Sequence, residues 1–361
     1  MEEKKEHFVR PTTERPQSLF SLTILAVIFG LVAGFGGYLL GKWFVPSNIS
    51  FLSNQPDIKI NLEQPLTSVA NKYEASIAGL YKNSKTISDL DNPIFDRADY
   101  LGSAVVVTSD GWLMSTDQVL LNTQSKVVLN DQVFGIEEIK KDAFSGAVFI
   151  KIKASNLLAV NFQLTEGVKA GERIFTDKEL ANSLNHTFST ALLGNIHFTT
   201  GIYLSTDSID YYYKLTDMST DNMVSAAPYF NLKGDLIGLG YRLPNKEVVL
   251  LPADYLKQAV KHLLDNTERP VWGISYIDLE NNSGIEIKGD YVYSATLNKA
   301  VLPNTPSSRA GLKAKDRILS INNDSVTKDR TITSILQNYR LGDKIILKIV
   351  RDGKEMDLEM K

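Results

Sequence analysis

Apolar residues along this chain follow different rhythms, and each rhythm predicts a different kind of element. The first is continuous. Leu19–Leu40, LFSLTILAVIFGLVAGFGGYLL, has no charge and no polar face. A bilayer crossing takes about 20 such residues, so the run predicts one transmembrane helix. Lys4, Lys5, Arg10 and Arg15 precede it and only Lys42 follows closely, which places the N-terminus in the cytoplasm and the remainder outside. Trp43 and Phe44 suit the outer interface, and no small-x-small cleavage site follows, so an uncleaved anchor is favoured over a signal peptide. Pro46–Pro65 is polar, proline-punctuated and aperiodic, as a tether is.

From Leu66 the pattern becomes periodic. Val69, Tyr73, Ile77 and Leu80 start close to helical spacing, although Ser76–Lys82 could equally open a strand. Past residue 100 short strand-like runs dominate: Ala104–Thr108 and Trp112–Ser115 about the turn Ser109-Asp110-Gly111, then Lys126–Leu129, Gln132–Ile136, Ala147–Ile152, Ala170–Thr176, Ser189–Leu193, Gly201–Leu204 and Tyr211–Leu215. Pro228–Leu232 and Leu236–Gly240 form a hairpin about Lys233-Gly234-Asp235. Closely spaced short strands with turn residues between them predict a barrel or sandwich. Pro252–Leu264 then shows helical spacing at Tyr255/Leu256, Ala259/Val260 and Leu263/Leu264. A new unit opens at Pro270, with a strand at Tyr291–Leu297, a helix at Thr331–Tyr339 and a final hairpin, Ile345–Val350 and Glu355–Met360, about Asp352-Gly353.

Composition adds mainly exclusions. The 361 residues are 43% apolar and 22% charged, as globular proteins are, and carry a net charge of −3. That charge gives no reason to expect a nucleic-acid partner. The absence of cysteine removes disulfides, thiol catalysis and Cys-based zinc sites, and nothing implies a metal or a cofactor.

Two motif sets carry a resemblance. Thr216-Asp217, then Ser225-Ala226-Ala227-Pro228 and Asn231-Leu232-x-Gly234-x-x-Ile237-Gly238, resembles the nucleophile segment of HtrA-type serine proteases, where the serine lies in Gly-Asn-Ser-Gly-Gly-Pro. Thr305-Pro306-Ser307-Ser308-Arg309-Ala310-Gly311-Leu312, followed by Asp316-Arg317-Ile318, resembles the PDZ domain of the same family, with Lys315 at a family glycine. The resemblance implies a mainly β fold: an N-terminal transmembrane helix, a chymotrypsin-like double β-barrel and a C-terminal PDZ domain. The implied boundaries are a cytoplasmic tail to 18, the span at 19–44, a linker at 45–66, the protease-fold domain at 67–262, a link at 263–270 and the PDZ domain at 271–361.

Residue by residue, the catalytic machinery is incomplete. Ser225 holds the nucleophile position, but Gln118 stands at the histidine position and Gly146 at the aspartate position. Met223 replaces an oxyanion-hole glycine, a position that needs the backbone freedom of glycine. A serine hydroxyl needs an adjacent base to lose its proton, and a glutamine amide cannot titrate near neutral pH. The four histidines, His7, His186, His197 and His262, all lie outside the first barrel. Asp117, beside Gln118 at a strand end, is expected to face away, and Asp142 is a weak substitute.

In the PDZ unit the resemblance makes Val271-Trp272-Gly273-Ile274 the carboxylate-binding loop and puts Ile332, Ile335, Leu336 and Tyr339 on the facing helix, as groove lining or as core. Trp272 is bulky for such a loop and would narrow the pocket. The expected function is that of a membrane-anchored HtrA-like pseudoprotease binding peptides or unfolded-protein C-termini as a scaffold, sensor or regulator. Its assembly would be a homo-trimer, or a hetero-oligomer with active relatives. The alternative is an active membrane-anchored endopeptidase using Ser225 in protein quality control.

Overall fold

The computed structural model describes the backbone of 18–44 and residues 74–82, 95, 97–177, 188–216, 226–282, 287–296 and 299–361. Two units separate, Met1–Asn61 and Leu62–Lys361. In the first, Ser18–Phe44 is one helix of 27 residues. Its side chains are described from Thr23 to Tyr38 and expose large apolar groups such as Phe29 and Leu31. Among the described residues no helix is long and apolar enough to cross a membrane.

The second unit begins with a closed barrel. Its strands are β1 (Ile77–Tyr81), β2 (Tyr100–Val106), β3 (Trp112–Thr116), β4 (Lys126–Leu129), β5 (Gln132–Asp142) and β6 (Ala147–Ile152), in the order β1-β2-β3-β6-β5-β4 with β4 returning to β1. The Ser109-Asp110-Gly111 turn joins β2 to β3. It needs its glycine, because Gly111 has φ +104° and an added Cβ would stand 2.4 Å from the Ile152 carbonyl oxygen.

Next come β7 (Asn161–Phe162), β8 (Arg173–Asp177), β9 (Phe188–Phe198), β10 (Leu204–Ser205), β11 (Tyr212–Leu215), β12 (Pro228–Phe230), β13 (Asp235–Arg242) and β14 (Val248–Pro252). Six of them run β12-β8-β9-β11-β14-β13, and β13 pairs back to β12, closing a second ring. β7 adds to β13 in parallel. The exit helix, Ala253–Asp265, follows and lays Leu256, Ala259 and Val260 into a core shared by both barrels, with Met114 and Phe149 from one and Phe175, Phe230 and Leu239 from the other. Each of the larger side chains contributes roughly 1.5–3 kcal/mol on burial, so this layer holds the barrels together.

The last unit pairs β15 (Ser275–Asp278), β16 (Asp290–Val292), β17 (Arg317–Ile321), β18 (Asp324–Ser325), β19 (Ile345–Arg351) and β20 (Lys354–Met360). The expected helix Thr331–Tyr339 is shorter than its apolar spacing suggested. It spans Ile332–Leu336, with the Thr331 hydroxyl accepting from the Ser334 amide as N-cap. The edge of this sheet is completed from the barrel region, where β10 pairs with β15 antiparallel, Leu204 opposite Tyr276 and Ser205 opposite Ser275.

Buried polar contacts seat this unit on the barrels. Arg269 donates from Nε to Asp142 at 2.9 Å, from Nη1 to Gln337 at 3.0 Å and from Nη2 to the Tyr255 carbonyl at 3.0 Å, and its guanidinium lies over the Phe144 ring. The buried Asp210 carboxylate accepts from the hydroxyls of Tyr255 and Tyr276. Burial pushes the Asp210 carboxyl above its usual pKa, and these hydrogen bonds oppose the shift.

Candidate functional site

Of the catalytic positions suggested by the resemblance, Gln118 and Gly146 are described, where β3 ends and β6 begins. Gln118 follows β3 and is clasped by the end of β13. Its Nε2 donates to the Arg242 carbonyl at 2.5 Å, and its Oε1 accepts from the Arg242 amide at 2.9 Å. Both ends of the side-chain amide are therefore spent on one residue's backbone. A histidine ring could not reproduce this, since it cannot present a donor and an acceptor side by side in the manner of a primary amide.

Gly146 lies opposite, at φ +70°. A Cβ built there would come 3.3 Å from Asp117 Oδ1, and the Asp117 amide donates to the Gly146 carbonyl at 2.8 Å. The expectation that Asp117 faces away is thus corrected: the turn after Thr116 swings its carboxylate against Gly146, into the space a side chain at 146 would claim. Next to it, burial and then the Asp117 carboxylate raise the pKa of Tyr241, keeping the phenol protonated at neutral pH. Among the described residues the groups collected here are an amide, a phenol and an exposed carboxylate, with no imidazole.

The other titratable candidates are engaged elsewhere. Asp142 is bound to Arg269 and accepts from the Ser145 amide. His262 Nδ1 faces the Thr267 hydroxyl at 2.9 Å, and burial lowers its pKa. His197 packs on Tyr211 in β9, also with a pKa lowered by burial. His7, His186, Met223 and Ser225 lie outside the described residues. The description resumes at Ala226, fully buried in the first barrel's core cluster with φ +59°, a left-handed conformation for which glycine is better suited.

The loop Val271-Trp272-Gly273-Ile274 turns on a left-handed glycine. Gly273 has φ +75°, and any Cβ there would fall 2.5 Å from the Thr305 side chain. The turn directs three successive amides to one side, and all three are occupied from within the chain. Asp207 Oδ1 accepts from the Trp272 amide at 2.8 Å, Asp207 Oδ2 accepts from the Gly273 amide at 3.0 Å, and the Thr206 hydroxyl accepts from the Ile274 amide at 3.1 Å. The Thr206 amide in turn donates to the Ile274 carbonyl at 2.9 Å.

Across the groove stands the helix Ile332–Leu336. Thr333 donates its hydroxyl to the Ser205 carbonyl at 3.3 Å, and Gln337, just past the helix, donates Nε2 to the Thr206 carbonyl at 2.9 Å. Ile332, Ile335 and Leu336 are buried in the PDZ core with Leu204, Trp272 and Ile274, and Tyr339 packs against that cluster. Trp272 is fully buried there, so its bulk fills core. Val271 is exposed. Thr333, Gln337, Thr206 and Asp207 are polar contacts that a search for apolar spacing passes over; the Thr-Asp pair just after the Gly201–Leu204 run was the available signal.

Comparison with known proteins agrees with this layout. The PDZ domain family model matches residues 270–361. A probable periplasmic serine endoprotease DegP-like of Marinomonas sp. (strain MWYL1) is 25% identical over 276 residues, covering 72% of this chain but only 56% of that protein. Serine protease Do-like HtrB of Bacillus subtilis (strain 168) is 21% identical across 99% of this chain and 85% of its own length. The solved structure "HtrA-type protease AlgW with tripeptide" superposes with a TM-score of 0.58 at 18% identity, over 82% of this chain and 95% of that one. The chain is thus similar to HtrA/DegP-type serine proteases, carries a C-terminal PDZ domain at 270–361 and shares the double-barrel fold of the solved HtrA-type structures.

Proposed function

We propose that this chain is an HtrA-like pseudoprotease, anchored in the cell membrane by the run at Leu19–Leu40, that engages peptide or unfolded-protein C-termini through its PDZ domain as a scaffold, sensor or regulator. The observation that carries the reading is the clasp of Gln118 on the Arg242 backbone: the position of the general base holds a group that cannot accept a proton, and the fold has committed it to a structural contact. Gly146 supplies no orienting carboxylate. With members of a triad removed, only about 10³–10⁴-fold catalysis over water is left. Peptide engagement is supported by the loop amides around Gly273 and by the peptide named in the AlgW structure's title. The charge balance about the span orients the N-terminus to the cytoplasm and the barrels outside. Assembly as a homo-trimer, or with active relatives, belongs to the same proposal.

A second reading, an active serine endopeptidase in protein quality control, is favoured by one observation: Ser225 is retained, and the relatives are named as serine proteases. Mass spectrometry of a disordered casein incubated with the full chain and with Ser225→Ala separates the two. The pseudoprotease reading expects identical, background-level fragments from both. Fragments that disappear with Ser225→Ala support the second reading and overturn the first.

A further inference from the structure

The PDZ groove is built to take a chain end, yet in this structure a segment from the middle of the chain lies in it. Leu204–Asp207 runs antiparallel to β15 toward the loop, with Leu204 opposite Tyr276 and Ser205 opposite Ser275. Strand addition continues through Thr206, whose amide donates to Ile274. Where a bound peptide would place its terminal carboxylate, the side-chain carboxylate of Asp207 accepts from Trp272 and Gly273. Leu204, two residues before Thr206 and therefore on the same face of the strand, is buried with Trp272, Ile274 and Ile332. The backbone carbonyls of Ser205 and Thr206 are held by Thr333 and Gln337 from the opposite wall.

We propose that Leu204–Asp207 is an internal ligand that closes the groove, and that this groove takes free peptide C-termini ending in apolar-x-threonine (or serine), which bind by displacing it. The inference rests on the peptide-binding reading above and specifies its regulation and ligand class. The internal segment serves as the template. A peptide ending at the equivalent of Thr206 brings an α-carboxylate next to the Trp272 and Gly273 amides that the Asp207 side chain now occupies, its last side chain can repeat the Thr206 contact with the Ile274 amide, and an apolar side chain two residues earlier fills the place of Leu204.

Closure is also wired to the barrels. Gln337 holds both the Thr206 carbonyl, through Nε2, and Arg269, through Oε1; Arg269 holds Asp142 at the end of β5. Displacing the segment would remove one end of that series of polar contacts, whose other end is Asp142 in the first barrel.

The test uses the full chain and the labelled peptide Gly-Ile-Tyr-Leu-Ser-Thr, the sequence of residues 201–206, with a free carboxylate and, as control, an amidated end. Fluorescence anisotropy is expected to show Asp207→Ala binding the acid form at least tenfold more tightly than the native chain, with little binding of the amide. A second pair of substitutions holds the groove shut. Ser205→Cys with Ser275→Cys faces a non-hydrogen-bonded antiparallel pair in a chain without cysteine, a spacing suited to a disulfide. Oxidation is expected to abolish binding, and reduction to restore it.

Hydrogen exchange reads closure without any peptide. The Trp272, Gly273 and Thr206 amides should be protected in the native chain and exchange at least tenfold faster in Asp207→Ala. Rapid exchange at these amides in the native chain, or equal peptide affinity of native and Asp207→Ala chains, overturns the internal ligand. Protected amides that are released in Asp207→Ala while no peptide binds leave the closure standing and overturn peptide capture.

Discussion

Two sites in this molecule differ in what each is made of. The crevice at Gln118 and Gly146 belongs to a class of site built from side chains, where one residue supplies the base and another orients it. On the pseudoprotease reading proposed above, two substitutions suffice to silence such chemistry, and the Gln118 amide is held in a contact with Arg242. The groove at Val271–Ile274 is built from backbone amides. Its requirements are one residue able to hold φ +75°, met by Gly273, and a strand edge, met by β15. The bulky Trp272 side chain next to it is buried in the core, while the amides of Trp272, Gly273 and Ile274 are taken up by Asp207 and Thr206. A backbone site thus tolerates sequence change that erases a side-chain site.

The largest expected effect strikes the support beneath the groove. Arg269→Ala leaves the nearly buried Asp142 without its partner and frees Gln337 and the Tyr255 carbonyl, so denaturant unfolding should show a loss of about 3–5 kcal/mol. A loss below about 1 kcal/mol would mean that the PDZ unit does not depend on this hub.

Gly273→Ala attacks the backbone site itself. Left-handed φ costs about 1–2 kcal/mol for an L-residue, and the added methyl meets Thr305, so a total near 2 kcal/mol or more is expected, with faster exchange of the loop amides. Unchanged stability and exchange would contradict the claim that the groove is a backbone device.

Asp290 sits under the same helix, accepting from the Ile332 amide at 3.3 Å, and burial, then Asp278 and other acidic neighbours, hold its carboxyl well above the usual aspartate range. The folded state therefore retains this proton to higher pH than the unfolded chain does. Its contribution favours folding at acid pH and is lost as pH rises from about 3.8 through the raised folded value. Asp290→Asn should flatten that fall in melting temperature across the window and raise the melting temperature at pH 7; a variant melting lower at pH 7 than at pH 4 as steeply as the native chain would refute the assignment.

The smallest effect belongs to the crevice at Gln118. Gln118→Ala removes two hydrogen bonds in an exposed setting and should cost about 1 kcal/mol in thermal unfolding, with no change in peptide affinity. A measurable affinity change would show that crevice and groove are coupled more closely than the contacts allow.

Much of this fold was legible from pattern, because short strands separated by glycine turns announce themselves: β3, β4 and β6 fall where the runs at Trp112, Lys126 and Ala147 put them. β14 escaped because Val248–Pro252 is buried along its whole length, so it shows no alternation and merges into the exit helix that follows. β7 and β10 have two residues each, too few to carry a period. At the candidate sites, Gln118, Gly146 and the Gly273 loop could be located by motif, since motifs record positions. The orientation of Asp117 and the seating of Asp207 in the loop could not, because both depend on where a turn sends one short side chain across a tertiary boundary. No local spacing encodes that.

The most direct test of a silent catalytic crevice is covalent labelling of the full, folded chain with a fluorophosphonate serine probe, beside Ser225→Ala. No label on either protein is expected, because no group at position 118 can take the serine proton. Stoichiometric label on the native chain that is lost in Ser225→Ala would contradict the pseudoprotease reading and require a base other than Gln118.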